Sequence, residues 1–462
     1  MDYAQFVAHK LRLAESVGFE PSAMHPRHFP HQVDLVGWAC RKGRAAIFAD
    51  TGLGKTGMQL EWARQVTMHT GRPVLILAPL AVTSQTAGEA SSMGIEVFVS
   101  RDGSIGSRLT AINYDRLHLV TDIASLGGVV LDESSIIKAY DGALRSEIIR
   151  TFANTPYKLA CTATPAPNDW TELGNHAEFL GVCSRAEMLA TYFCHDGGET
   201  SVWRLKGHAK KDFWAWVASW GAVVRRPSDL GHEDAGYALP PLRWREHKIQ
   251  VSQEMAVEAG MLFLTNVTQL SEQRGIRRAT MEDRVGGVAE LVNASDEPWI
   301  VWCELNDESD ALAKAIPDAV VVEGSDSAED KAERMLGFAA GKYRVLISKP
   351  KIAGFGMNFQ RCSKMAFVGA SHSYESTYQA VRRCWRFGQT KPVDVHVFVS
   401  TADGAIVSNY RQKEADAITM QSEMVAAMRS SMEQEIHGSR RDTIAYGGKE
   451  RLIVPPWLVS EP

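Results

Sequence analysis

The run Ala45-Ala46-Ile47-Phe48-Ala49-Asp50-Thr51-Gly52-Leu53-Gly54-Lys55-Thr56 constrains the fold more than any other segment of the chain. An apolar strand enters a glycine-rich turn, and the turn ends in Gly-Lys-Thr at the head of a helix-compatible stretch, Gly57–Met68. Gly52 and Gly54 let the backbone curl so that its N–H groups converge, and the helix N-terminus adds a favourable dipole; together they form a cradle for phosphate. Lys55 is then placed to reach β and γ phosphates, and the Thr56 hydroxyl suits a Mg²⁺ ligand. Ala49 stands where the general GxxxxGK[ST] pattern has its first glycine, so the order of strand, turn and helix carries the reading.

Such a strand belongs in a sheet, and further short apolar or β-branched runs supply one. They are Val74–Leu77, Thr110–Asn113, Val129–Leu131 and Lys158–Cys161, then Trp299–Cys303, Val320–Val322, Val345–Ile347, Ala366–Val368 and Val393–Val399. Segments of helical length lie between them, among them Ala328–Ala340 and Ser376–Trp385. Alternation of strand and helix predicts an α/β fold of mostly parallel sheets flanked by helices. Between Gly181 and Pro298 the strand-like runs fade, so the expectation is an N-terminal lobe over 1–235, a linking, helical segment over 236–295 and a C-terminal lobe over 296–462. The 462 residues agree with two or three domains at about 150 residues each.

Val129-Val130-Leu131-Asp132-Glu133 delivers two carboxylates at the end of a buried strand. Downstream of Gly-Lys-Thr these acids have separate tasks. Asp132 can hold the metal through water, and Glu133 can orient and deprotonate an attacking water.

From here the chain resembles the superfamily 2 helicases and translocases, and among them the Swi/Snf-type ATPases and related phage or bacterial DEAD/DEAH-like proteins. The resemblance rests on motifs in order from about Phe29 to Ser400. Phe29-Pro30-His31-Gln32 resembles the adenine-reading glutamine segment, which assigns Gln32 to adenine. Asp132-Glu133-Ser134-Ser135 stands in place of DEAH or DEAD, with serine at its last two positions. Thr162-Ala163-Thr164-Pro165 resembles the segment that couples hydrolysis to lobe movement, which gives Thr162 and Thr164 that role. Gly354-Phe355-Gly356-Met357-Asn358 resembles GxGxN, and Gln379 to Gln389 resembles QAxxRxxRxGQ with Arg383 and Arg386 as arginine fingers. These two arginines, three apart, are expected on one face of a helix. Arg382 occupies a place where Swi/Snf-type proteins usually carry an acid. Arg225-Arg226 and Leu239-Pro240-Pro241 resemble the landmarks that lead into the second lobe.

The resemblance implies two RecA-like P-loop lobes with Mg²⁺-ATP between them. The nucleotide set is Gln32, Thr51, Gly52, Leu53, Gly54, Lys55, Thr56, Gly356 and Gln379; Thr56 and Asp132 serve the metal, and Lys55, Glu133, Arg383 and Arg386 carry catalysis. Pro79, in Leu77-Ala78-Pro79, and Asn113, in Ile112-Asn113-Tyr114, belong with Lys349 and Asn358 near nucleic acid. The implied activity is that of an ATP hydrolase, a DNA helicase or double-stranded DNA translocase. An ATP-gated remodelling factor without strand separation, an RNA helicase and the motor subunit of a restriction system are alternatives.

Charge does not oppose a nucleic-acid partner. The sum is -5, from 50 Lys and Arg against 55 Asp and Glu, but it says nothing of placement. Arg204, Lys206, Lys210, Lys211, Arg225 and Arg226 crowd one stretch with four tryptophans. Of its aromatics, Phe213, Trp216 and Trp220 fall with Val217 on the stripe of a core-facing helix, while Trp214 lies off it. Arg274, Arg277 and Arg278 share helical spacing and read as a solvated face, as does Lys351 beside Lys349. Backbone contacts independent of sequence are the expected mode. The hydrophobic fraction of 45% excludes a disordered chain. No run approaches the roughly 18 apolar residues of a membrane span, and the N-terminal stretch lacks a signal-peptide core. Seven scattered cysteines fit a reducing compartment, and the resemblance implies the cytoplasm of a bacterial or phage-infected cell. Cys183, Cys194 and His195 have no second close pair and read as thiols rather than zinc ligands.

Overall fold

The computed structural model describes residues 13–138, 142–166, 169–196, 199–234, 236–237, 239–251, 270–353, 357–369, 373–401, 412, 419, 422–430, 432–433 and 435–436. In chain order the strands of the first half are β1 (Arg44–Ala49), β2 (Val74–Ala78), β3 (Val97–Val99), β4 (Leu109–Asn113), β5 (Gly128–Asp132), β6 (Tyr157–Cys161), β7 (Phe193–Asp196), β8 (Glu199–Leu205) and β9 (Gly221–Val224). Those of the second half are β10 (Leu242–Ile249), β11 (Trp299–Trp302), β12 (Ala319–Val322), β13 (Val345–Ser348), β14 (Lys364–Phe367) and β15 (Val393–Ser400).

Beside a separate antiparallel pair, β7-β8, two large sheets result, ordered β3-β4-β2-β5-β6-β1-β9 and β10-β15-β14-β11-β13-β12. All their pairings are parallel among the described residues. The α/β architecture of two parallel sheets flanked by helices is the one expected. Central strands such as Val74–Ala78 and Gly128–Asp132 are buried throughout, as a sheet covered on both faces requires. In a parallel sheet the strands' C-terminal ends lie along one edge. That edge brings together the loops after β1, β5 and β6, although β6 separates β1 from β5 in space.

Strand reasoning missed the edges. β3 is three residues long, and β10 reads Leu-Arg-Trp-Arg-Glu-His-Lys-Ile with most side chains at least partly exposed, so neither shows a buried apolar run. β10 also corrects the expected linking segment 236–295. It pairs along its whole length with β15 and belongs to the second sheet. The helix Met281–Asn293 likewise puts Val285, Val288 and Val292 into the second lobe's core.

The C-terminal end of the chain corrects the boundary again. Residues 422–430 are helical, and Met424, Met428, Met432 and Ile436 are buried in the core of the first lobe, not the second. The spacing of four keeps all of them on one face. Polar contacts seat the segment: Lys42 Nζ lies 2.6 Å from Glu435 Oε2, and Arg225 Nη1 donates to Ser422 Oγ at 2.7 Å. Met428 is fully buried, so Met428→Ala is expected to lower stability by about 2–5 kcal/mol. Denaturant titration followed by tryptophan fluorescence measures it; a change below about 0.5 kcal/mol, the size of an ordinary surface substitution, would mean the segment is not docked in solution.

Candidate functional site

The loop after β1 is built on glycine. Gly52 has φ 96° and Gly54 φ 79°, conformations that disfavour a side chain. A Cβ at Gly54 would fall 2.2 Å from Gln32 Nε2, and one at Gly52 would fall 2.8 Å from the backbone nitrogen of Phe387 in the second lobe. The helix Lys55–Thr70 starts at once and points its N-terminus into the turn. Lys55 Nζ donates to the carbonyls of Ala49 at 2.9 Å and Asp50 at 3.4 Å, and burial lowers its pKa.

Thr51, Gly52, Gly54, Lys55 and Thr56 line a cleft of about 450 Å³ between the lobes, together with Gln32, Asp132, Glu133, Asn358, Arg383 and Arg386. Leu53 is buried beneath it, and its carbonyl accepts from Gln32 Nε2 at 2.9 Å. Gln32 Oε1 in turn accepts from the Phe29 N–H at 3.0 Å. Its amide thus holds the loop to the start of the helix Pro30–Lys42.

Asp132 ends β5 and is buried; its Oδ1 accepts from Gln59 Nε2 at 2.6 Å. Burial, and then the charge of Glu133, push its carboxyl up to about 6. Sequence reasoning missed Gln59, although it lies one helical turn beyond Lys55 and therefore on the same face. Glu133 has φ 51°, the single non-glycine residue with positive φ among the described residues. That strain turns its carboxylate out of the strand direction into the cleft. Thr162 Oγ1 lies 3.5 Å from Glu133 Oε2 and accepts from the Thr164 N–H at 3.1 Å, which joins the loop after β6 to the acid. Of the two serines that follow, Ser134 pairs with buried His176 at 3.0 Å and Ser135 lines a neighbouring cavity.

The arginines depart from the expected helix. Helix Tyr374–Val381 stops before them, because the Arg383 carbonyl leaves the helical ladder to accept from the Phe359 N–H at 2.9 Å. Both still enter the cleft, from consecutive turns. Arg383 Nη2 lies 3.9 Å from Glu133 Oε1 and donates to Gln379 Oε1 at 2.8 Å. Gln379 is buried, and its side-chain oxygen holds Arg383. Burial lowers Arg386 to about 10, with the neighbouring Arg383 charge adding to the effect; burial lowers Arg383 too. Gly356 lies outside the described residues.

These features fit a nucleotide triphosphate. A glycine cradle and three buried cations, each with its charge disfavoured by burial, form a site that an anion would stabilise. A metal would take Thr56 and Asp132 from the same wall. No group of three or more His, Cys, Asp or Glu able to hold a metal occurs among the described residues, so its remaining ligands would be phosphate oxygens and water.

A second cavity of about 600 Å³ spans both lobes and carries five basic side chains, Arg101, Arg116, Lys138, Lys331 and Lys351, against the acids Asp115, Glu133 and Glu329. Pro79 and Asn113 line it. Lys349 and Asn358 do not. Lys349 Nζ donates to Asn306 Oδ1, and Asn358 lies in the nucleotide cleft. The basic stretch 203–227 is drawn largely into internal contacts: Lys206 donates to the carbonyls of Ala190 and Thr191, and Lys210 and Arg225 meet the C-terminal segment. Phe213, Trp216, Val217 and Trp220 are core, and so is Trp214, whose ring packs edge-on against Trp170 at 5.1 Å. Arg277 faces Glu308 at 3.5 Å, Arg278 is exposed, and the side chain of Arg274 lies outside the described set. All seven cysteines are free. No helix among the described residues is long and apolar enough to cross a membrane.

Comparison with known proteins adds a family match. Residues 285–388 match the helicase conserved C-terminal domain, the span that contains β11 to β14 and both cleft arginines. Among solved structures the chain is similar to the SWI2/SNF2 ATPase core of Sulfolobus solfataricus in complex with double-stranded DNA, at 16% identity over 90% of this chain and 98% of that one, with a TM-score of 0.42. No curated protein matches it.

Proposed function

We propose that this chain, whose second lobe is similar to a helicase C-terminal domain, is an ATP-dependent DNA helicase or double-stranded DNA translocase of superfamily 2. The observation that carries the reading is the cleft itself. It collects Lys55, Thr56, Asp132 and Glu133 from one lobe and Arg383 and Arg386 from the other.

Each group has a task that its place supports. The turn around Gly52 and Gly54 receives phosphates on backbone N–H groups, and Lys55 exchanges its carbonyl partners for phosphate oxygens. Thr56 and Asp132 would hold Mg²⁺, which when bound would supply neutralisation of phosphate charge. Glu133 takes the proton of the attacking water, and Arg383 and Arg386 meet the charge that builds on the transferred phosphoryl. Because the acid and the arginines belong to different lobes, hydrolysis requires closure, and loss of phosphate releases it. Thr162 and Thr164 carry that change into the first lobe through Glu133.

The two-lobed cavity with Pro79, Asn113, Arg116 and Lys351 supports a nucleic-acid path beside the nucleotide. Its basic groups suit phosphates and offer no base-reading pattern. DNA is therefore expected to stimulate ATP turnover with little dependence on sequence, and the stimulation is expected to fall as salt rises. Turnover measured with no nucleic acid, single-stranded DNA, duplex DNA and RNA at fixed salt tests this. Arg116→Ala and Lys351→Ala should each reduce the log-log salt slope by about one. If no polymer stimulates turnover, the motor assignment fails and ATP-gated remodelling takes its place. Triplex displacement beside a forked-duplex assay separates translocation from unwinding.

A further inference from the structure

Arg382 directly precedes Arg383 but, unlike Arg383 and Arg386, does not line the nucleotide cleft. Its side chain is 5% exposed, and its guanidinium forms an ion pair across the lobes with Asp50, which belongs to the phosphate-binding loop. The same carboxylate holds that loop's backbone. Asp50 Oδ1 accepts from the Thr51 N–H at 2.6 Å and from the Tyr378 hydroxyl of the second lobe at 2.8 Å. The guanidinium carbon lies 5.4 Å from the centre of the Tyr378 ring and 4.9 Å from that of Trp385. Trp385 is anchored in turn, its Nε1 donating to the Pro240 carbonyl at 2.7 Å, where the chain enters the second lobe. The close approach of the Phe387 backbone to Gly52 completes the contact.

The balance of charge separates Arg382 from its neighbours. Burial opposes ionisation of Asp50, but the Arg382 charge and hydrogen bonds outweigh it and hold the carboxyl below its ordinary value. Arg382 is held above its own for the reciprocal reason, burial again opposing and Asp50 prevailing. Arg383 and Arg386, on which burial prevails, still lack full compensation. Of the three, Arg382 alone has its charge favoured on balance, by the Asp50 carboxylate of the opposite lobe; on Arg383, 3.9 Å from Glu133, and on Arg386 burial prevails.

We propose that Asp50, Arg382 and Tyr378 form an interlobe clasp that holds the second lobe against the phosphate loop before nucleotide binds, with Arg382 a positioning residue for Arg383 and Arg386. The kinetic part of this inference rests on the cleft being the ATP site; the closure part does not. A clasp acting before binding raises the population of the competent, closed state. Its loss reduces apparent affinity for ATP, while saturating ATP restores closure through the remaining arginines.

The experiment places one dye on each lobe of the full chain, at Glu96→Cys and Glu333→Cys, with Cys183 and Cys194 changed to serine. Energy transfer is read without nucleotide and with saturating ATP. The clasp predicts high transfer without nucleotide in the parent, lower transfer in Asp50→Asn and in Arg382→Gln, and recovery in both with ATP. In nucleic-acid-saturated turnover Arg382→Gln is expected to raise KM for ATP about tenfold while kcat stays within about twofold. The double variant should be no worse than either single, since both remove one interaction. Arg382→Lys keeps the charge and should recover part of the closure. Tyr378→Phe, which removes one hydrogen bond, should shift transfer in the same direction by less and serves if a charge variant does not fold. Transfer that is unchanged in every variant, or low in the nucleotide-free parent, overturns the clasp. A roughly thousandfold or greater loss of maximal turnover at unchanged KM also overturns it, because Arg382 would then act on phosphate directly. A chain without ATPase activity would remove the nucleotide reading and leave the energy-transfer result to judge the clasp.

Discussion

Arg383→Ala is expected to lower kcat by about 10³ to 10⁵ while the Kd for nucleotide changes far less. The guanidinium is buried in the cleft, lies 3.9 Å from Glu133 and is held by Gln379 on one side and the Met357 carbonyl, 3.4 Å away, on the other. It is therefore already oriented before charge develops on the transferred group, which is the condition under which such a donor acts most strongly. Arg383→Lys is not expected to rescue. A lysine has one ammonium and cannot reproduce a fork that meets Gln379 Oε1, the Gln379 carbonyl and the Met357 carbonyl together. Gln379→Ala should give an intermediate loss of turnover, because it frees the arginine without removing it. Steady-state turnover beside nucleotide titration reads all three. A loss below tenfold for Arg383→Ala would place the transition-state charge elsewhere.

Glu133→Gln is expected to lower turnover by about 10² to 10⁴, the usual contribution of a general base, with nucleotide still bound. The amide keeps the size and the approach to Thr162 but cannot accept the proton of water. Lys55→Ala should instead lose binding and turnover together, since in the proposed site its ammonium meets phosphate in ground and transition states alike. Glu133→Gln therefore separates kcat from Kd, whereas Lys55→Ala moves both. Undiminished hydrolysis in either would remove the residue from the site. Binding measured by a fluorescent nucleotide completes the comparison.

How far the sequence carried these assignments depends on what each signal reports. Buried central strands announce themselves, because a sheet covered on both faces demands an unbroken apolar run; Val129–Leu131 and Val345–Ile347 are of this kind. Edge strands such as β10 carry no such demand, and its charged sequence reads as a linker. The spacing of the two arginines allows a helix. The helix ends earlier since a loop of the same lobe takes the Arg383 carbonyl, a contact that spacing cannot express. The basic stretch with its tryptophans has a composition suited to nucleic acid, yet its aromatics are core and Lys210 and Arg225 meet a segment some two hundred residues away.

The sequence by itself determined the chemistry available at each point: the glycine turn ending in Lys55 and Thr56, the acids at the end of β5, and the arginines of the second lobe. Those are local properties of backbone freedom, charge and chain order. Only the tertiary structure decided which groups meet. It assigned Gln379 to Arg383, paired Arg382 with Asp50 across the cleft, and returned the methionine stripe of the C-terminal segment to the first lobe. The reason is physical. A buried charge or apolar face must find a partner, but the partner is selected by how distant elements pack, and that choice is made in three dimensions.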